Sequence, residues 1–198
     1  MHDRVFKHTE AHKLEDPQRL RWLPTATILA NLHLSPGMKV ADIGAGTGYF
    51  AIPLAHAVAP GGHVFAVDLQ PEMLDLLRKK LEKADAPRNI SLHAGDASLL
   101  PLQDRSVDLV FYANIWHEIA NLDSAILEAS RVAVSSGKIA ILDWREDCVP
   151  PPGPPSDHRI SANRVVTFLG ENGCQQVEST QIAEFSYLVT ATLKSDSK

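Results

Sequence analysis

Only two cysteines, Cys148 and Cys174, occur among the 198 residues. A disulfide-stapled secreted scaffold is therefore excluded, and both thiols are expected to be reduced. Basic runs are also missing. Against 24 Asp plus Glu stand 19 Lys plus Arg, a formal charge of −5, and no Lys/Arg-rich run reverses that balance locally. A phosphate backbone would meet net repulsion, so nucleic acid is not expected as a partner. No apolar stretch approaches the roughly 20 residues needed to cross a bilayer, so no membrane partner is expected. The first residues, MHDRVFKHTEAHKLEDP, have neither a basic leader nor an apolar core, and the expected location is the cytoplasm. What remains is a globular balance of 44% hydrophobic and 22% charged residues, enough to bury a core in one domain.

Short β-branched runs at 39–43, 63–68, 90–93, 107–112 and 138–144 alternate with helical patterns, which predicts a doubly wound, Rossmann-like α/β sheet, mostly parallel, with helices on both faces. Pro71 opens one helix, with Leu74, Leu77 and Leu81 as its stripe and Arg78, Lys79, Lys80 and Lys83 at its carboxyl end. Another is expected from Asp123 to just before Gly137, the turn into the fifth strand being Ser135-Ser136-Gly137. PPPGPP at 150–155 must be a stiff loop. Ser161 then caps a helix that Gly173 stops, and residues 175–193 leave no room for a crossover, so they form an antiparallel hairpin at the sheet edge. The chain reads as a single domain over 1–198, with a helical cap over 1–35 and the core over 36–198. Trp22, Leu23, Ile28 and Leu29 anchor the cap, and Pro53 is expected to bend the helix that contains it.

The most informative stretch is VADIGAGTGYF at 40–50, a strand running into glycines and then a helix. Gly44, Gly46 and Gly48 permit a tight turn and a close ligand approach. The dinucleotide fingerprint fails at its third glycine, where Tyr49 stands, and Asp42 beside the loop opposes a pyrophosphate but attracts a cation. Asp68 ends the second strand about 20 residues on, where a carboxylate can accept ribose hydroxyls. After the third strand, Asp96 is placed to accept an exocyclic adenine amine. A cation, a ribose and an adenine together describe S-adenosylmethionine.

These motifs, with VFAVDLQPEML (64–74), AGDASLLPLQDRSVDLVFYANIWHEI (94–119) and RVAVSSGKIAILDW (131–144), resemble the successive motifs of class I S-adenosylmethionine-dependent methyltransferases. Within that class the chain is similar to the small branch related to the ubiquinone/menaquinone-biosynthesis enzymes. The resemblance implies Asp42, Gly44, Ala45, Gly46 and Gly48 at the methionine end, Asp68 and Leu69 at the ribose, Asp96 and Ala97 at the adenine, and Asn114 beside the sulfonium. It also implies methyl transfer to a small-molecule acceptor by in-line displacement. His117 and His158 are the candidate proton acceptors, with Glu118 beside the former, and Asp143, Trp144 and Arg145 the candidate pocket walls. Asp108, at the far end of its strand, reads as structural. His8 and His12 lack a third ligand, so no metal is expected. The two cysteines fall short of the additional thiols used by arsenic methyltransferases and read as packed free thiols. Two alternatives stay open: a nicotinamide-dependent oxidoreductase using the same loop, and a non-catalytic module that binds an adenosyl ligand. No motif names the acceptor or the oligomeric state.

Overall fold

The computed structural model describes residues 5–148 and 153–194. Its seven strands are β1 (Lys39–Ile43), β2 (His63–Asp68), β3 (Ile90–Ala94), β4 (Val107–Ala113), β5 (Ala133–Trp144), β6 (Gln175–Ile182) and β7 (Ser186–Thr192). They form one sheet in the order β3-β2-β1-β4-β5-β7-β6. The first five pair in parallel, while β7 runs antiparallel to both β5 and β6. The hairpin expected at the carboxyl edge is thus present. The helices are α1 (Arg19–Trp22), α2 (Thr25–Asn31), α3 (Ala51–Ala57), α4 (Pro71–Leu81), α5 (Leu122–Val132) and α6 (Ala162–Glu171).

Both faces of the central strands are apolar, and period-two alternation sends each residue to a defined layer. Val40, Val64, Ala66, Phe111, Ala140 and Leu142 meet Ile28, Leu54 and Leu77 of α2, α3 and α4, and Val58 just after α3, on one face. Ala41, Ile43, Val110, Tyr112, Ile139 and Ile141 meet Ile126, Ala129, Val132, Val165 and Leu169 of α5 and α6 on the other. Strand succession reverses between β1 and β4. In an open α/β sheet that reversal parts the connecting loops and leaves a crevice at the strand carboxyl ends.

Several local expectations need correction. Pro53 sits in the first turn of α3, because the helix begins only at Ala51. A first-turn N–H has no intrahelical partner, so the proline removes nothing and no bend is required. The helix expected to run from Asp123 toward Gly137 stops at Val132, and β5 starts at once, carrying Ser135-Ser136-Gly137 inside the strand. Ala133 pairs with Val107 before the register slips ahead of Leu109–Lys138, and Ser136 has φ of +64°. The expected turn is therefore an irregularity within the strand. Residues 8–15 are a 3-10 segment, and Trp22 and Leu29 in the cap are half-buried while Leu23 and Ile28 are fully buried. Ser161 does cap α6, accepting the Arg164 N–H at 3.4 Å, and Asp108 is structural, accepting the Lys39 N–H at 2.7 Å.

Candidate active site

Asp42 is the fourth residue of β1 and is 1% exposed, and its Oδ2 has no hydrogen-bond partner. A buried carboxylate without a partner is costly. Burial first, and then the charge of Asp68, push its pKa up to about 7. Across the strand reversal, Asn114 follows β4 in the left-handed region at φ +57°, its N–H donating to Leu142 O at 2.8 Å. Both Asn114 side-chain atoms, Oδ1 and Nδ2, are likewise buried without a partner. Three orphaned polar atoms thus sit at the carboxyl ends of the two strands that flank the crevice. They offer two acceptors and one donor to a ligand.

Sterics divide the glycines of the loop. At Gly44 a Cβ would lie 2.6 Å from the Ile115 side chain, and at Gly48 2.3 Å from that of Leu77. Those two positions are glycine because the protein itself fills the space, rather than because a ligand does, as the sequence suggested. Four of the loop's N–H groups are also spent internally. Gly44 and Ala45 donate to Val67 O at 2.8 and 3.0 Å, Gly48 donates to Ala45 O, and Gly46 donates to Asp68 Oδ2 at 2.8 Å. Those four N–H groups are thus already engaged rather than held open as a nest for a pyrophosphate.

Asp68 closes β2 and is 7% exposed. Its second oxygen accepts the Gln70 N–H at 2.9 Å. Burial raises its pKa against those two backbone donors. Beyond it Leu69 is 53% exposed, an apolar side chain left in solvent at the strand end. Neighbouring β3 leads into Asp96, exposed, whose Oδ1 accepts the Ser98 N–H at 2.7 Å, and half-buried Ala97. Leu69 and Ala97 therefore mark the ends of adjacent strands, at the rim of the crevice.

The turn after β4 carries the acid–base group. His117 Nδ1 lies 2.8 and 3.0 Å from the two oxygens of Asp143 in β5, and its N–H donates to Asp143 Oδ2 at 3.1 Å. Nε2 is 3.7 Å from Glu118 Oε1, too long for a hydrogen bond. Burial alone would depress the imidazolium, but the charge and hydrogen bond of Asp143 with the charge of Glu118 outweigh it, so the His117 pKa is raised. Burial lifts that of Glu118 to about 7, opposed by the Phe6 N–H and by His117. His158 is half-buried at the end of the 3-10 turn Ser156–His158, with no side-chain hydrogen bond among the described residues. Hydrogen bonds join His117 to Asp143, and among the described residues none runs from the His158 side chain to that pair, while the adjacent Arg159 acts on the His117 charge. Of the proline loop, 149–152 lie outside the described residues. Gly153 packs on the Trp144 ring, and Arg159 donates to Pro154 O and Arg145 O.

An amino-terminal strap crosses the crevice, and sequence reasoning missed its attachment. Phe6 N–H donates to Glu118 Oε2 at 3.1 Å, Gln70 Nε2 donates to Phe6 O at 2.7 Å, and His8 N–H donates to Gln70 Oε1 at 2.9 Å. Glu15 accepts from the Thr47 hydroxyl at 2.5 Å and from Lys80 at 2.7 Å. Leu14 lies over Gly46, 3.5 Å from where a Cβ would stand. No pattern in the first 16 residues signals these contacts, because each partner is distant in the chain, in the loops after β1, β2 and β4 or on α4. Cys148 and Cys174 are both free, as expected. Among the described residues no cluster of three or more His, Cys, Asp or Glu is arranged to hold a metal.

Comparison with known proteins follows the same lines. Residues 34–183 match the family model described as a methyltransferase domain. A methyltransferase-like protein of Schizosaccharomyces pombe is 42% identical over 112 residues, 56% of this chain and 40% of that protein. A demethylmenaquinone methyltransferase of Lactobacillus johnsonii is 34% identical over 119 residues, 60% of this chain and 49% of that one. The chain thus spans less than half the length of these two relatives. The crystal structure of a SAM-dependent methyltransferase from Aquifex aeolicus superposes with a TM-score of 0.90 at 29% identity, covering 96% of this chain and 100% of that one. The chain belongs to the methyltransferase domain family, whose cofactor is S-adenosylmethionine, and it carries that family's seven-stranded Rossmann-like fold.

Proposed function

We propose that this chain transfers a methyl group from S-adenosylmethionine to a small organic acceptor held beneath the amino-terminal strap. The observation that carries the reading is the set of three unpartnered buried atoms, Asp42 Oδ2, Asn114 Oδ1 and Asn114 Nδ2, in a crevice also lined by Asp68, Glu118 and Asp143. An excess of carboxylates suits a ligand with cationic ammonium and sulfonium groups. The donor set fits that cofactor. Asp42, Asn114 and the loop at Gly44, Ala45, Gly46 and Gly48 are assigned to its methionine end, and Asp68 to the ribose. Leu69 is assigned to the ribose and adenine rim, Asp96 and Ala97 to the adenine.

Bound there, the cofactor supplies an already activated electrophilic methyl. What the chain must add is alignment of the acceptor and exclusion of water. The strap supports both, since it ties the 3-10 segment to Glu118, Gln70 and Thr47 across the crevice mouth. Buried Trp116 and Trp144 stiffen the strand ends beneath the acceptor. His117 is assigned to face the acceptor. His158, next to the Arg159 whose charge acts on His117, is kept as the second candidate proton acceptor.

A small neutral or anionic-poor acceptor fits the acidic crevice and the net charge of −5 better than a nucleic acid does. A thiophilic arsenic acceptor is disfavoured by geometry. Cys148 follows the carboxyl end of β5, whereas Cys174 precedes Gln175, which pairs with Thr192 beside Lys138 at the other end of that strand region. No helix among the described residues is long and apolar enough to cross a membrane.

Calorimetric titration of the full chain with S-adenosylmethionine, S-adenosylhomocysteine and NADH tests the reading. Micromolar binding of both adenosyl ligands without NADH is the expected result. NADH binding alone would return the loop to the oxidoreductases. Tight adenosyl binding with no methylation across a broad acceptor panel would favour the non-catalytic module.

A further inference from the structure

We infer that Asp143 is a positioning residue that fixes His117 as the proton acceptor of the methyl-transfer site, with Nε2 as the basic atom. The inference deepens the methyl-transfer reading and rests on it.

Asp143 is 1% exposed and is itself held in place, since Oδ1 accepts the Trp144 N–H at 2.8 Å and Oδ2 the His117 N–H at 3.1 Å. A carboxylate only accepts hydrogen bonds, so the imidazole nitrogen at 2.8 and 3.0 Å from its oxygens must carry the hydrogen. That nitrogen is Nδ1. In the neutral ring the lone pair is then on Nε2, the atom left without a hydrogen-bond partner at 3.7 Å from Glu118 Oε1. A ring whose side chain is only 3% exposed, held through Nδ1 at both oxygens of a carboxylate that the His117 backbone N–H also engages, is oriented before any acceptor arrives.

Each element packed around the ring contributes a charge. Asp143 comes from the end of β5, Glu118 from the same turn as His117, and Arg159 from the segment after the proline loop. Glu118 in turn feels Asp68 from β2 and receives the strap through the Phe6 N–H. Carboxylates predominate, so a positive charge forming on the ring is stabilised there.

The step balances with no further reagent. As the X–H bond of the acceptor breaks, its proton passes to Nε2 and its electron pair forms the bond to the methyl carbon. The electron pair of the breaking S–CH3 bond remains on sulfur. His117 leaves the step as an imidazolium paired with Asp143. An acceptor that must surrender a proton therefore has its base built in.

The test reads the ring itself. The full chain labelled with nitrogen-15 is titrated by long-range imidazole correlation NMR, with and without saturating S-adenosylhomocysteine. The expected neutral tautomer has hydrogen on Nδ1, with Nε2 as the titrating atom and a midpoint above the ordinary value of about 6.5. In Asp143→Asn the midpoint is expected to fall by one unit or more. A neutral ring carrying its hydrogen on Nε2, or a midpoint unmoved in Asp143→Asn, overturns the inference. Should Asp143→Asn fail to fold, the wild-type tautomer still decides it. A failure of the methyl-transfer reading would show separately, as absent calorimetric binding of the adenosyl ligands by the wild type.

Discussion

Replacing Asp42 with Asn should make the ligand-free protein more stable and the cofactor bind less well. Asp42 has a pKa near 7 in the folded chain, against 3.8 for an ordinary aspartate, because it is buried and faces Asp68. Between those two values the folded state holds a proton that the unfolded state has released, so stability falls as pH rises through that window. Below about pH 4 both states are protonated and the penalty is absent, while above pH 7 it is complete. A shift of about three units at 1.36 kcal/mol per unit gives a ceiling of about 4 kcal/mol, which relaxation of the site will reduce. Asparagine is a neutral stand-in for the protonated acid and removes the charge at every pH. Asp42→Asn should therefore gain about 1–4 kcal/mol at pH 8.5 and only about a quarter of that at pH 4.5. In a chain of this size that corresponds to roughly 2–4 °C in Tm per kcal/mol. Thermal unfolding of both proteins across pH 4.5–8.5 measures the difference directly. The same variant should bind S-adenosylmethionine at least about tenfold more weakly, one charge-assisted contact being worth about 1.5–3 kcal/mol. A gain independent of pH, or a variant less stable than wild type at pH 8.5, would refute the account of Asp42 as a charge held at a cost for a cationic ligand.

Further outcomes follow from the same geometry. Asp68→Ala removes the acceptor assigned to the ribose and should weaken cofactor binding by about 1–3 kcal/mol in calorimetry. His117→Ala should lower turnover while leaving the Kd for S-adenosylhomocysteine within threefold, and equal loss of both would instead indicate a folding role. Methyl transfer should rise with pH through the ionisation of His117, at a midpoint above about 6.5, because Asp143 and Glu118 raise that pKa despite burial. Gly48→Ala drives a methyl to 2.3 Å from Leu77 at φ +87° and should destabilise the fold by about 1–3 kcal/mol, with a less-than-additive double cycle against Leu77→Ala. Gln70→Ala cuts three of the strap's hydrogen bonds and should speed proteolysis within residues 5–16 while shifting Tm by no more than about 2 °C.

Much of the architecture is legible in local pattern. The β-branched runs become the buried strands, Pro71 opens α4, Ser161 caps α6, and the segment after Gly173 pairs as a hairpin because it is too short for a crossover. The failures are equally local. Whether Pro53 disrupts a helix depends on where that helix begins, and Tyr49–Phe50 lie outside it. Whether Ser135-Ser136-Gly137 is a turn depends on Val107 reaching Ala133 from the neighbouring strand, which no short window reveals.

The site divides along the same line. By itself the sequence determined the fold class, the glycine loop and the acidic residues at three strand ends, because periodicity and turn chemistry act between residues close together in the chain. Only the tertiary structure decided which groups meet. His117 and Asp143 are 26 residues apart and join only because β4 and β5 lie side by side. Phe6 reaches Glu118 across 112 residues. Gly44 and Gly48 yield space to Ile115 and Leu77, side chains from other elements. Charge, burial and hydrogen bonding are set by such long-range neighbours, so the chemistry of the crevice exists only once the sheet is assembled.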